Sequence, residues 1–148
     1  MKYQYHLDIK KIRKFNLMLT DKDYQEWVIN KTSNESKNLD SFKNRLDKLN
    51  EQVNIPLLMT SAYGMAAEAS EFSEIVKKLV FQGKELNEEQ FLHMRKELGD
   101  ILFYMNQAFE ALSSNYDEVK TLNIEKLNAR YVNGFTVNES EKRKKGDV

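Results

Sequence analysis

The sequence predicts an all-α protein, a bundle of helices with two antiparallel acidic helices at its centre. Three observations predict it. Only 5 glycines and 1 proline interrupt 148 residues, and 31% of the residues are charged, a composition that suits long amphipathic helices. Apolar residues recur at three- and four-residue spacing through most of 21–131. Strand-like alternation is confined to Tyr3, Tyr5, Leu7 and Ile9, a run too short to form a sheet by itself.

Residues 1–20 read as an N-terminal extension. Thr20 and Asp21 suit the cap of a helix over 21–31, with Tyr24, Trp27 and Val28 on one face. The polar run 32–38 reads as a loop. Asp40 or Ser41 then caps a helix over 41–52, with Phe42, Leu46, Leu49 and Val53 on one side. Pro56 suits the first turn of a third helix, where its missing N–H costs nothing. That helix continues past Gly64 to Gln82 and stops at Gly83. Asn87-Glu88-Glu89-Gln90 reads as a capping box that opens a fourth helix reaching Leu112. After the turn at 113–115, a last helix covers 116–131 and ends before Gly134. Residues 136–148 read as a polar, flexible tail. The folded domain therefore spans 21–135.

Charge and residue usage exclude several classes of function. Lys and Arg number 23, as do Asp and Glu, so a basic nucleic-acid-binding surface is not expected. The absence of cysteine excludes disulfides, thiolate metal sites and thiol nucleophiles. Two histidines are too few for a multi-histidine centre. No apolar run approaches a membrane span, and the first residues have no signal-peptide core. The expectation is a soluble, cytoplasmic protein.

The informative residues are carboxylates in apolar stripes. On a helix turning about 100° per residue, Glu68 shares a face with Phe72, Ile75, Val76 and Leu79, and Glu71 flanks that face. In the next helix Glu97 shares a face with Ile101, Tyr104, Met105, Ala108 and Leu112, and Asp100 flanks it. The short connection makes the two helices antiparallel neighbours, so all four acids can converge. Buried carboxylates must be paired, protonated or metal-bound. Two readings stay open. One is an oxygen-only centre for Mg²⁺ or Mn²⁺. The other is a set of buried ion pairs, with Lys78 and Lys96 as counter-charges. The spacing alone discriminates little, because it recurs at 71/74 and 85/88.

The segment 64–78, with Glu68, Glu71 and Glu74, resembles the first motif of MazG-like nucleoside triphosphate pyrophosphohydrolases, in the all-α NTP pyrophosphatase superfamily. Lys96-Glu97-Leu98-Gly99-Asp100-Ile101-Leu102-Phe103-Tyr104 resembles the second. Phe81-Gln82-Gly83-Lys84 is similar to the loop between the motif helices, and 123–131 with Gly134-Phe135 to the C-terminal Lys-Leu-x-x-Arg-Tyr segment. Ser70 stands where many members have Gly.

The resemblance implies Mg²⁺ ligation by Glu68, Glu71, Glu97 and Asp100, with Mn²⁺ as an alternative. It implies cleavage of the α–β phosphoanhydride of a nucleoside triphosphate to a monophosphate and pyrophosphate, with Glu71 or Glu74 as general base. Lys78, Lys126 and Arg130 are the candidate phosphate ligands, and Trp27, Tyr63 and Tyr104 the candidate platforms for the base. His93 shares a face with Glu97 and Asp100, where a carboxylate partner is expected. A homodimer or homotetramer is expected, with no membrane and no nucleic-acid partner. The alternatives are a narrow-substrate enzyme of the same superfamily, acting on dUTP or phosphoribosyl-ATP, and a non-catalytic nucleotide-binding or regulatory bundle.

Overall fold

The computed structural model describes residues 20–132, 134–137 and 140. The alternating run at 3–9 and most of the polar tail lie outside them. The chain divides into two compact units, residues 1–47 and 48–148. The described residues are helical, with no strand beyond one isolated bridge between Val132 and Gly134.

In the first unit, α1 (Asp21–Lys31) opens with a complete capping box. The Thr20 hydroxyl accepts the Asp23 N–H at 3.2 Å, and the Asp23 carboxylate accepts the Thr20 N–H at 2.7 Å. Hydrogen bonds from the Thr20 hydroxyl and backbone N–H hold the Asp23 carboxyl below its ordinary pKa. Tyr24 and Trp27 stack at 6.0 Å, but every side chain of α1 is exposed. The next helix, α2 (Leu39–Asn50), passes through the boundary between the units. It starts earlier than the Asp40 or Ser41 cap implies. Asn38 Oδ1 accepts the Ser41 N–H at 2.9 Å, so the true cap is Asn38, two residues before Asp40.

The second unit contains α3 (Ile55–Phe81), α4 (Glu88–Ala111) and α5 (Tyr116–Arg130). Asn54 caps α3 by accepting the Leu57 N–H at 3.2 Å, and Pro56 falls in its first turn as expected. The helix closes where the Gln82 and Lys84 N–H groups both donate to the Lys78 carbonyl, around Gly83 at a φ of 67°. Asn87 caps α4 through the Gln90 N–H at 3.1 Å. The expected capping box is only half formed. The Gln90 side chain is buried, with its Oε1 unpartnered, and does not return to the Asn87 backbone. Asn115 caps α5 through the Glu118 N–H at 3.0 Å.

Extensive packing in this unit is confined to α3 against α4. Their register runs in opposite directions. Gly64 meets Tyr104, Glu68 meets Glu97 and Asp100, and Ile75 shares a cleft with His93. The pair is therefore an antiparallel hairpin, closed by the loop at 82–87.

The predicted stripe is only partly covered. Among the described residues the buried apolar side chains are Ile75, Ala108 and Ala111, while Val76 and Leu112 are exposed. One neighbouring helix covers a single groove, and the stripe is wider than that groove. The incompletely covered residues along 98–112 form a second seam, with Met105 and Phe109 half-buried. Leu98, Leu102, Met105, Phe109 and Leu112 follow a four-three-four-three spacing, with Leu98, Leu102 and Leu112 exposed at 47%, 51% and 56%. Among the described residues, no helix is long and apolar enough to cross a membrane.

Candidate metal centre

The hairpin brings three of the four predicted acids together. One carboxylate oxygen from each of Glu68, Glu97 and Asp100 lies within 4.8 Å of the other two. The helical pitch explains the grouping, because Glu97 and Asp100 are one turn apart on α4 and face Glu68 across the crossing. Glu97 is 6% exposed, Glu68 half-buried and Asp100 exposed, so the cluster opens to solvent on one side.

The electrostatics are those of like charges held close. Burial raises the Glu68 carboxyl above its ordinary value, and repulsion from Glu71, Asp100 and Glu97 adds to that rise. The counter-charges of the ion-pair reading do not reach this cluster. Lys78 pairs with Glu74 at 3.5 Å, and Lys96 forms no ion pair among the described residues. A divalent cation would offset the repulsion.

The donor set fits such a cation. Octahedral Mg²⁺ binds oxygens at about 2.0–2.1 Å, which sets neighbouring ligand oxygens about 3 Å apart and opposite ones about 4 Å apart. Three oxygens within 4.8 Å of one another are close to that span. With no sulfur and no directly clustered imidazole, the set suits a hard cation.

The fourth acid, Glu71, is exposed and stands just outside this trio. It lines an adjoining cleft of about 290 Å³ with Ser70, Glu74, Ile75, Lys78 and His93. Glu74 forms a short ion pair with Lys77 as well as the longer one with Lys78. The hydrogen bond from Lys77 holds its carboxyl below the ordinary value, with smaller help from Lys78. His93 Nε2 lies 2.9 Å from Glu97 Oε1, one helical turn away.

The remaining expected site residues are placed elsewhere. Tyr104 packs on Gly64 and meets Phe103 edge to face at 5.3 Å. Lys126 lines a separate cleft of about 480 Å³ with Met105, Phe109, Tyr116 and Asn123. Arg130 sits 5.9 Å from the Tyr131 ring. Trp27 belongs to the first unit, and Tyr63 is exposed on α3. The close approach of Gly64 to Tyr104 was not anticipated. Its signal was a glycine inside a long helical pattern, which reads as a weak point until the facing residue is known.

Residues 59–135 match the family model described as the MazG nucleotide pyrophosphohydrolase domain. The match takes in the acidic hairpin and α5. No curated protein and no solved structure matches the chain significantly.

Proposed function

The chain belongs to the MazG nucleotide pyrophosphohydrolase domain family, and on that premise we propose that it hydrolyses nucleoside triphosphates at the α–β bond with Mg²⁺, releasing a monophosphate and pyrophosphate. The observation that carries the reading is the convergence of Glu68, Glu97 and Asp100 within 4.8 Å, with no lysine or arginine among them. Glu71 completes the ligand set by a side-chain rotation from the edge of the cluster. The cation, when bound, offsets triphosphate charge and lowers the pKa of a coordinated water.

The chain's own residues divide the remaining work. A general base must be free to accept a proton near the attacked phosphorus. Glu74 is a poor candidate, because two lysines hold it ionised and occupied. Glu71 borders the cluster without such pairs and is the better one. Lys78, in the same cleft, supplies positive charge toward the phosphates once Glu74 releases it. Tyr104 offers a ring edge beside the acids for the base. Lys126 lines a cleft separate from the one that holds Glu71 and Lys78, and with Arg130, one turn further along α5, would act on substrate bound to a neighbouring copy.

A second copy is also what the exposed α4 seam fits. The spacing of Leu98, Leu102, Met105, Phe109 and Leu112 is that of helices packed in a bundle. A homodimer or homotetramer would cover it.

Product analysis tests the activity. The full chain is incubated with Mg²⁺ and a panel of ribo- and deoxyribonucleoside triphosphates, and the products are separated. Monophosphate and pyrophosphate in equal amounts are expected, and Asp100→Asn should abolish them. Diphosphate with orthophosphate, or no turnover on any nucleotide, contradicts the proposal. Turnover of one nucleotide alone would identify the narrow-substrate form.

A further inference from the structure

We propose that His93 is a positioning residue, whose Nε2–H fixes the Glu97 carboxylate in the orientation that receives the divalent cation. The inference rests on the metal-site reading above and goes beyond it in naming what holds the most buried ligand. Glu97 is the most buried of the three clustered acids, and its neighbours Glu68 and Asp100 offer it only carboxylate oxygens. His93 Nε2 lies 2.9 Å from its Oε1. Among the described residues it is the one side-chain nitrogen placed against Glu97 in an ion-pair geometry.

Geometry suits that role. Positions 93 and 97 are one turn apart on α4, so the imidazole lies along the helix toward the buried carboxylate without bending the backbone. Glu97 is 7% exposed at its side chain, and His93 is 51% exposed. The imidazole therefore has little packing duty of its own, while the group it holds is fixed in the core. His93 also lines the cleft that contains Glu71 and Lys78, so it touches both Glu97 and the space beside the ligand cluster. Hydrogen-bond partners behind ligating side chains fix their orientation and tune affinity.

The test is direct Mn²⁺ binding to the full chain, read from the electron paramagnetic resonance signal of the free ion. Wild type, Glu97→Gln, His93→Leu and His93→Gln are compared. Glutamine carries an N–H donor at nearly the reach of imidazole Nε2 and cannot titrate near neutrality. Wild type should bind and Glu97→Gln should not. His93→Leu should weaken binding by about 10–100-fold, the usual cost of losing such a partner. His93→Gln should restore most of the loss. His93→Ala carries the same expectation as leucine and keeps a good helix former, should leucine disturb the fold. Wild-type affinity in His93→Leu and His93→Ala, or equal weakening in the leucine and glutamine variants, overturns the positioning role. Failure of the wild type itself to bind Mn²⁺ overturns the metal reading beneath it, a distinguishable result.

Discussion

Gly64 of α3 lies against the ring of Tyr104 of α4, and the space a side chain at 64 would need is filled by that ring. A Cβ built on Gly64 would come 2.3 Å from Tyr104 Cδ1 and Cε1 and 2.5 Å from Cγ. The contact runs along the ring from Cγ to Cε1, so the whole ring must shift to make room. In an ordinary helix interior, Gly→Ala stabilises by about 0.5–1 kcal/mol. Here the overpacking cost of about 1–3 kcal/mol should win. Gly64→Ala is expected to lower the denaturant midpoint, and adding Tyr104→Ala should recover part of the loss. A stability gain in the single variant would show that the helices do not approach as described.

Gln90 offers the opposite case. Its side chain is 3% exposed and its Oε1 has no partner. A buried polar atom without a hydrogen bond costs about 1–3 kcal/mol. Gln90→Met keeps the length of the side chain and removes that atom. Chemical denaturation should show the variant at least as stable as wild type, whereas Asn87→Ala, which deletes the cap three residues earlier, should cost about 1 kcal/mol.

The pH dependence of the metal-free protein should have an unusual sign at Glu68. Its folded carboxyl is raised by burial and by the neighbouring acids. The folded state therefore binds that proton more tightly than the unfolded chain does. The resulting stability is fully present below the unfolded value of about 4.5 and is lost as pH rises through the higher folded value. Melting temperatures of the metal-free protein should fall over that window, and Glu68→Gln should flatten the fall. Saturating Mg²⁺ should reverse the slope, because the ligands must ionise to bind. An identical profile in wild type and Glu68→Gln would remove the like-charge account of the cluster.

The α4 seam predicts self-association. Leu102 stands in its middle, 51% exposed, between Leu98 and Met105. A charge placed there would be desolvated in a helix–helix interface and harmless on a free surface. Light scattering should find a dimer or tetramer for wild type and a smaller species for Leu102→Glu. A wild-type monomer mass independent of concentration would contradict the oligomer.

Much of this was legible in the sequence because helices advertise themselves locally. The caps at Thr20 and Asn87 and the stop at Gly83 lie within a few residues of the structure they create. Glu68 and Glu97 were legible for a different reason. A carboxylate inside an apolar stripe is a local contradiction, and only a site or a partner resolves it. The opaque features depend on the other helix. No periodicity distinguishes Glu71 at the edge of the trio from Glu68 inside it, because side-chain reach across the crossing decides. The Tyr104–Gly64 contact and the unpartnered Gln90 oxygen are set by register. Val76 and Leu112 were expected in the core on the same grounds as Ile75, yet the single partner helix leaves them exposed.

Whether Glu68, Glu71, Glu97 and Asp100 hold a divalent cation is decided by thermal melts of wild type and Glu68→Gln, each with and without Mg²⁺. Without metal the variant should be as stable as wild type or slightly more so, since one of several repelling acids is gone. With Mg²⁺ the wild type should melt at a higher temperature, by an increment worth about 2.7 kcal/mol at a hundredfold excess over the dissociation constant. Glu68→Gln should move much less. A variant far less stable than wild type, with no Mg²⁺ shift in either protein, would contradict the metal centre and restore the buried ion pair.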